Sequence, residues 1–239
     1  MCTVTFIPIK GQGNFIFTSN RDEFPQRTAD ELMIKTINEK KVLFPQDQRA
    51  KGTWIAISDS DQLVCILNGA FEAHKRRDDY VKSRGIMALE MFEYENSINF
   101  LKNYNLKGIE PFTMILYDCG NLFELKWDYN IKHIRNLNPE DSHIWASSTL
   151  YSEKWQKKRQ KWFSEWHQKH VTITQSAVLD FHNNAGEGND RYDVKMYVDG
   201  LVQTTSITSI EHDKDSMRMR FESISNGDVK QEKIQVHTT

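Results

Sequence analysis

The start of the chain constrains the fold most, because two strand-like stretches flank a short turn there. Residues 2–9 and 14–20 are rich in β-branched and aromatic residues, and the segment Lys10-Gly11-Gln12-Gly13 between them carries turn residues. This pattern predicts a β-hairpin. With the turn centred near Gln12, the numbers of paired residues sum to about 24.

This register brings Cys2 to a charged tetrapeptide at the end of the second strand. Its predicted partner is Asp22, and a shift of one residue changes the partner to Arg21 or Glu23. Removal of Met1 would leave Cys2 with both a thiol and a free α-amine, which is a nucleophile with its base attached. An ordinary thiol is only about 3% thiolate at pH 7. Arg21 would favour the thiolate, and Asp22 or Glu23 would orient the amine.

A second hairpin is predicted further along the chain. Residues 53–57 and 62–68 have strand composition around a polar turn at 58–61, and the almost unbroken apolar run "LVCIL" is typical of a central strand buried on both faces. Pairing about residue 60 places Asn68 opposite Gly52. We expect Asn68 to donate to a developing oxyanion, and Gly52 to permit close approach of a substrate.

The remaining segments alternate between helical and strand patterns with no linker or repeat. A broken helix or two short helices are expected over 81–104, with Ser83 and Ser97 as N-caps, and an amphipathic helix over 151–170 places Trp155, Trp162, Phe163 and Trp166 on one face. We therefore predict one α+β domain over residues 1–239, in which helices cover antiparallel sheets. The other predicted elements are a helix at 174–182 and strands at 112–117, 122–127, 131–135, 143–147, 201–211, 216–225 and 230–236.

Composition excludes several classes of function. The net charge is −2, and the 31 Lys and Arg residues are scattered, so the chain has no basic footprint for nucleic acid. No apolar run approaches the length of a membrane span and the first residues do not resemble an export signal, which favours a cytoplasmic protein. Three cysteines at long spacings support neither a disulfide framework nor a zinc site, and we expect no metal or other cofactor.

Each candidate residue also has an ordinary structural interpretation. A charged cluster after a hairpin is most often a solvated turn or a cap. A single cysteine such as Cys2 usually acts as a small apolar residue, and an asparagine at a strand end such as Asn68 is usually a turn residue. From the residues alone, these readings and the catalytic one both stand.

A set of short motifs resembles a known family. The chain has "MC" at its start, "NRDE" at 20–23, "GTW" at 52–54, Asn68 at a strand end, and a segment with Trp and Lys after residue 147. In this order they resemble the NRDE family, which includes the transport and Golgi organisation protein 2 group. The resemblance implies an N-terminal nucleophile hydrolase-like fold, a four-layer αββα sandwich, similar to penicillin V acylases and bile salt hydrolases.

The resemblance also implies roles for individual residues. Cys2 would be the nucleophile, Arg21 its electrostatic partner and Asp22 the acid that holds the α-amine, with Glu23 as the alternative, while Asn68 would help to bind the oxyanion. Two departures from the family pattern stand out: Ser148 replaces an expected Asn, and Gln203 or Thr204 stands where a late Arg is common. The substrate side of the site would include Asn20, Glu23, Gly52, Ser147 and Ser148.

The predicted reaction is hydrolysis or transfer of an amide or thioester acyl group of a small or apolar metabolite, with Cys2 as nucleophile and without a cofactor. The alternative is a non-catalytic carrier that binds an apolar ligand, such as an acyl group or haem, in the same cleft. Both readings expect a small-molecule partner, no nucleic acid and no integral membrane association.

Overall fold

The computed structural model describes residues 3–9, 13–29, 31–77, 79–198 and 200–237. These residues form two antiparallel sheets of seven strands each. The strands are β1 Thr3–Ile9, β2 Asn14–Glu23, β3 Leu32–Ile37, β4 Lys40–Pro45, β5 Ile55–Ser58, β6 Gln62–Asn68, β7 Phe112–Asp118, β8 Asn121–Trp127, β9 Lys132–Leu137, β10 His143–Ala146, β11 Tyr197–Val198, β12 Val202–Asp213, β13 Ser216–Ser223 and β14 Val229–Gln235. The first sheet has the order β10-β1-β2-β12-β13-β14, with β11 paired to β12, and the second runs from β3 to β9 in chain order.

Four α-helices lie in the described residues: α1 Arg84–Glu90, α2 Ser97–Asn103, α3 Glu153–Lys169 and α4 Gln175–Asn184. The broken helix predicted over 81–104 is confirmed as α1, a short 3₁₀ turn and α2. Ser83 caps α1 by accepting a hydrogen bond from the backbone N–H of Ile86, as predicted. The cap predicted at Ser97 is wrong, because Asn96 accepts the bond from Asn99 and Ser97 is already the first helical residue.

Three apolar layers hold the helices and sheets together, and the alternation of side chains along each strand supplies them. Phe17 of β2 and Cys65 of β6 pack between the two sheets, whereas Ile16 packs against α3 and α4. On the far side of the second sheet, Val64 packs with Met87 of α1 and with α2. The order is therefore helices, sheet, sheet, helices, and the predicted α+β fold with four αββα layers is confirmed.

The first hairpin has a slightly different register and a longer second strand than predicted. Val4 pairs with Ser19 and Ile9 with Asn14, so paired residue numbers sum to 23 instead of 24. β2 continues to Glu23 because β12 pairs with it from Phe15 to Glu23, with a register shift between Thr204 and Ser206. The NRDE tetrapeptide is therefore part of a buried strand and not a polar strand end. Cys2 lies outside the described residues, so its partner remains a prediction.

The second hairpin turns at the predicted place. Ser58 pairs with Gln62, and β6 is the fourth of seven strands, which confirms a central position for the "LVCIL" strand. The pairing of Asn68 with Gly52 is wrong, since β5 begins only at Ile55 and Asn68 pairs with Phe112 of β7.

One hairpin of the second sheet was not predicted at all. β3 and β4 meet at a two-residue turn in which Asn38 and Glu39 both have positive φ, 47° and 68°, the conformation of a type I′ hairpin turn. The sequence Asn-Glu lacks the glycine that usually marks such a turn, which is why the pattern was missed. No helix in the described part of the chain is long and apolar enough to cross a membrane.

Candidate active site

The four NRDE side chains divide between the two faces of β2. Asn20 and Asp22 contact groups on the side of α3 and α4, while Arg21 and Glu23 contact groups on the side of the second sheet. Strand geometry requires this division, because successive side chains point to opposite faces. The motif is therefore two pairs of residues with different surroundings.

Arg21 is part of a buried ionic network. It is 4% exposed, and its Nη2 lies 2.6 Å from Oδ2 of Asp47. Arg27 also bonds to Oδ2 of Asp47 at 2.6 Å, and its other Nη nitrogen pairs with Glu23 at 2.6 Å. The guanidinium of Arg21 additionally lies over the ring of Trp54, 4.6 Å from its centroid. Glu23 is thus occupied by Arg27, and the charge of Arg21 is balanced by Asp47.

Asp47 holds this network as an anion. Burial opposes its ionisation, but the backbone N–H of Ala50 and the charges of Arg27 and Arg21 outweigh burial, so the pKa of Asp47 lies below its ordinary value. Its Oδ1 accepts backbone N–H groups from Arg49 at 3.0 Å and Ala50 at 2.8 Å. Sequence reasoning missed Asp47, although its place five residues before Gly52 of the GTW motif was a usable signal.

Asp22 has the opposite electrostatic character. It is fully buried, and burial raises the pKa of its carboxyl group to about 6 against the opposing effects of two hydroxyl donors and the charge of Arg159. Tyr151 donates to its Oδ2 at 2.8 Å, and Thr204 donates to its Oδ1 at 2.7 Å. Thr204, which stands where the family resemblance suggested an arginine, therefore contacts the site through its hydroxyl group.

Asn20 makes contacts that fix the fold around the site. Its Nδ2 donates to the carbonyl groups of His182 at 3.0 Å and Val194 at 2.9 Å, and its Oδ1 accepts from Nδ1 of His182 at 2.7 Å. Burial lowers the pKa of His182 to about 3, so the ring is neutral, and its Nε2 accepts from Thr5 at 2.9 Å. These bonds tie β2 to α4, and the predicted contact of Asn20 with substrate remains a prediction.

Asn68, predicted to bind the oxyanion, and Ser147, predicted on the substrate side, lie together near the start of β1. Ala146 pairs with Thr3, and the next residue, Ser147, donates to the carbonyl oxygen of Asn68 at 2.8 Å. The side-chain amide of Asn68 has no hydrogen-bond partner in the described part of the chain, so its N–H groups can serve a ligand. Ser148 donates to the carbonyl oxygen of Glu72 at 3.4 Å and holds the segment after Asn68.

Gly52 lies elsewhere, in a contact that explains the glycine by packing. A Cβ atom on Gly52 would come within 2.4 Å of the carbonyl carbon of Gly85 at the start of α1. Its carbonyl oxygen accepts from the backbone N–H of Asp47 at 2.9 Å. The structure therefore gives Gly52 a close approach to α1, and a contact with substrate remains a prediction.

Arg159 of α3 was not predicted to be near the site. It is fully buried, its Nε donates to Oγ1 of Thr3 at 3.1 Å, and its guanidinium carbon lies 3.5 Å from the centroid of the Tyr151 ring. A cavity of about 250 Å³ adjoins this point, with Arg159 and Ala146 both in its wall. The sequence signal was a cation on the helix between Trp155 and Phe163.

The order of layers and the cluster around the start of β1 define the fold as that of the N-terminal nucleophile hydrolases. Solved structures support this assignment. The chain is similar to two variants of the conjugated bile acid hydrolase from Clostridium perfringens, an arginine-to-leucine variant at 9% identity and a cysteine-to-alanine variant at 10%. Each comparison covers 100% of this chain and 97% of the other, with a TM-score of 0.55.

A third similar structure is the Caenorhabditis elegans ortholog of N-acylethanolamine-hydrolyzing acid amidase, at 10% identity, with 87% of this chain and 92% of that chain covered and a TM-score of 0.59. The family profile described as Transport and Golgi organisation 2 matches residues 1–228, and the chain belongs to that family. No curated protein matches the sequence.

Proposed function

We propose that this protein hydrolyses or transfers an acyl group from an amide or thioester of a small metabolite, with Cys2 as the N-terminal nucleophile. The observation that carries the proposal is the position of the cavity. Two residues of its wall contact Thr3, since Ala146 pairs with it and Arg159 donates to it. Cys2 precedes Thr3, and consecutive Cα atoms are only about 3.8 Å apart. The similarity to acyl-amide hydrolases of the same fold supports the reaction class.

The proposed reaction has two steps. The sulfur of Cys2 forms a bond to the acyl carbon, the bond from that carbon to the leaving nitrogen or sulfur breaks, and the thiol proton passes through the α-amine to the leaving group. Water or another acceptor then attacks the acyl-enzyme and restores the thiol. The unbonded amide of Asn68 would donate to the oxyanion of both steps. The α-amine exists only if Met1 is removed.

The roles of Arg21 and Asp22 follow from their surroundings. Among the three partners predicted for Cys2, the observed register sum of 23 favours Arg21. Asp22 would orient the α-ammonium group once its own carboxyl is ionised. Because burial raises the pKa of Asp22 to about 6, the acylation rate should rise as the pH passes through that value.

One observation favours the carrier as a second candidate. The charge of Arg21 is already balanced by Asp47, with 2.6 Å between Nη2 and Oδ2. A balanced guanidinium lowers the pKa of a neighbouring thiol less than a free one does. A weakly activated thiol would suit a residue that contacts a ligand without reacting with it.

Intact-mass analysis separates the two candidates. The purified protein is weighed before and after incubation with p-nitrophenyl acetate, together with the variants Cys2→Ala and Cys119→Ala. Cys119 is the matched control because it is an exposed free thiol, whereas Cys65 is buried. We expect a mass without Met1 and one acetyl adduct that Cys2→Ala abolishes and Cys119→Ala retains. Retained Met1, or an adduct that does not depend on Cys2, would refute acyl transfer by this residue.

A further inference from the structure

The cavity beside Thr3 has a positively charged wall. It lies between β10, the edge of the second sheet formed by β8 and β9, and α3. Three cationic side chains line it, Lys126, Arg135 and Arg159, against one carboxylate, Glu124. Such an excess of one charge in a concave site concentrates ligands of the opposite charge.

Arg159 is the most informative of these cations because it is fully buried. Its Nε donates to Thr3 at 3.1 Å and its Nη2 to the carbonyl oxygen of Asp193 at 2.9 Å, but its Nη1 has no hydrogen-bond partner in the described residues. No described carboxylate lies within ion-pair distance. The carboxyl group of Asp22 interacts with Arg159 electrostatically but without a hydrogen bond. Its oxygens accept from Tyr151 and Thr204.

A buried guanidinium in this state is costly for the fold. Buried charges are ordinarily paired, and an unpaired buried N–H costs about 1–3 kcal/mol or more when it is charged. An anion in the cavity, whose wall includes Arg159, would compensate this charge. The stacking of Arg159 on Tyr151 leaves this positive charge without a bonded anion, which favours an anionic ligand in the cavity.

The other charges of the wall agree with this explanation. Arg135 pairs with Glu124 at 3.4 Å, and Glu124 also accepts from the indole N–H of Trp145 at 2.8 Å, so these charges balance each other. Lys126 has no carboxylate partner among the residues that the structure describes, and its Nζ lies 5.0 Å from the centroid of the Phe71 ring. The excess charge of the cavity thus belongs to Arg159 and Lys126.

We propose that this cavity binds an anionic group of the ligand, a carboxylate or a phosphate, with Arg159 on the inner wall and Lys126 on the outer wall. The inference rests on the proposed function in one respect, that the anion is part of the acyl substrate. It restricts that substrate to acyl compounds with a negative charge close to the reacting carbonyl. The planar fork of an arginine suits two-oxygen groups of this kind.

Equilibrium binding tests the proposal without acyl transfer. Hexanoate, hexyl phosphate and uncharged hexanamide are titrated into the full chain by calorimetry at low and at near-physiological salt. None of the three is an activated acyl donor, so a missing Cys2 adduct would leave this test unaffected. We expect one anion to bind at least about tenfold more tightly than hexanamide, since a hydrogen bond to a charged group contributes about 1.5–3 kcal/mol. The preferred anion identifies carboxylate or phosphate chemistry.

Variants connect the binding to the two cations. Arg159→Gln should weaken anion binding about tenfold and Arg159→Lys less, while Lys126→Gln should weaken it about threefold, as expected of a partly exposed charge. Lys161→Gln, an exposed position on the same helix, is the control that should change nothing. If Arg159→Gln does not fold, Lys126→Gln still decides the question. Equal affinity for hexanamide and the anions, or unchanged anion binding in Lys126→Gln, would overturn the proposal.

Discussion

The buried carboxyl group of Asp22 should make the stability of the protein fall as the pH rises from about 4 to about 7. Replacing Asp22 by asparagine removes the titrating group while retaining a side chain of nearly the same shape. Tyr151 and Thr204 each donate to one carboxyl oxygen of Asp22. An asparagine side chain has one carbonyl oxygen, so it can accept from one of these two hydroxyl groups. Any loss from the other bond is independent of pH and cancels when one variant is compared across pH.

The direction and size of this pH dependence follow from the difference between the pKa of Asp22 in the folded and in the unfolded chain. Burial raises the pKa of Asp22 in the folded state to about 6, against 3.8 for an exposed aspartate. Between these values the unfolded chain releases a proton that the folded chain retains, so folding becomes less favourable as the pH rises and then levels off above the folded pKa. The difference of about two pKa units corresponds to about 3 kcal/mol.

Urea unfolding of the wild type and Asp22→Asn at several pH values between about 4 and 7.5 measures this effect. The free energy of unfolding of the wild type, minus that of Asp22→Asn, should fall by about 2.5 kcal/mol across the range, because the rest of the change lies below pH 4. Other groups titrate in both proteins and cancel. A constant difference would show that the carboxyl group has an ordinary pKa. A difference that increases with pH would show that its ionised form stabilises the fold, and either result refutes the reasoning.

Two further substitutions, one of them with a matched control, test the framework of the site. Gly69→Ala should destabilise the protein by at least about 2 kcal/mol in thermal unfolding, because Gly69 has a φ of +80° and an added Cβ would lie 2.3 Å from Oγ of Ser148. The control is Gly120→Ala, at a φ of +84° with nothing within 4 Å of the added Cβ, which should cost only about 1 kcal/mol. Asp47→Asn should cost about 3 kcal/mol or more near pH 7 in urea unfolding, since it leaves the buried charge of Arg21 uncompensated, and a loss below about 1 kcal/mol would contradict that role.

The sequence was most informative where a marked turn joins neighbouring strands. The turn at 58–61 fixed the register of β5 and β6, because the numbers of paired residues in a hairpin have a constant sum. The unbroken apolar run of β6 predicted a strand buried on both faces, since such a strand has no polar face to alternate. The motif order and these elements together were sufficient for the αββα fold.

Pairing between distant segments could not be predicted in the same way. β12 pairs with β2 across roughly 190 residues of chain, and nothing in the hairpin pattern shows that this partner extends β2 through Arg21 and Asp22. Arg159 and Tyr151 reach the site through the placement of a helix on the first sheet, which depends on packing and not on spacing. The network of Asp47 was missed for the same reason.

The division of the NRDE residues between two faces also limits the length of the strand that carries them. Inserting or deleting one residue between Asn14 and Asn20 would exchange the faces, so that Arg21 and Glu23 would point at the apolar side of α3 and α4. A change of two residues would return every side chain to its own face. A one-residue change in this segment would therefore need a compensating β-bulge to keep the four side chains on their faces, whereas a two-residue change would not.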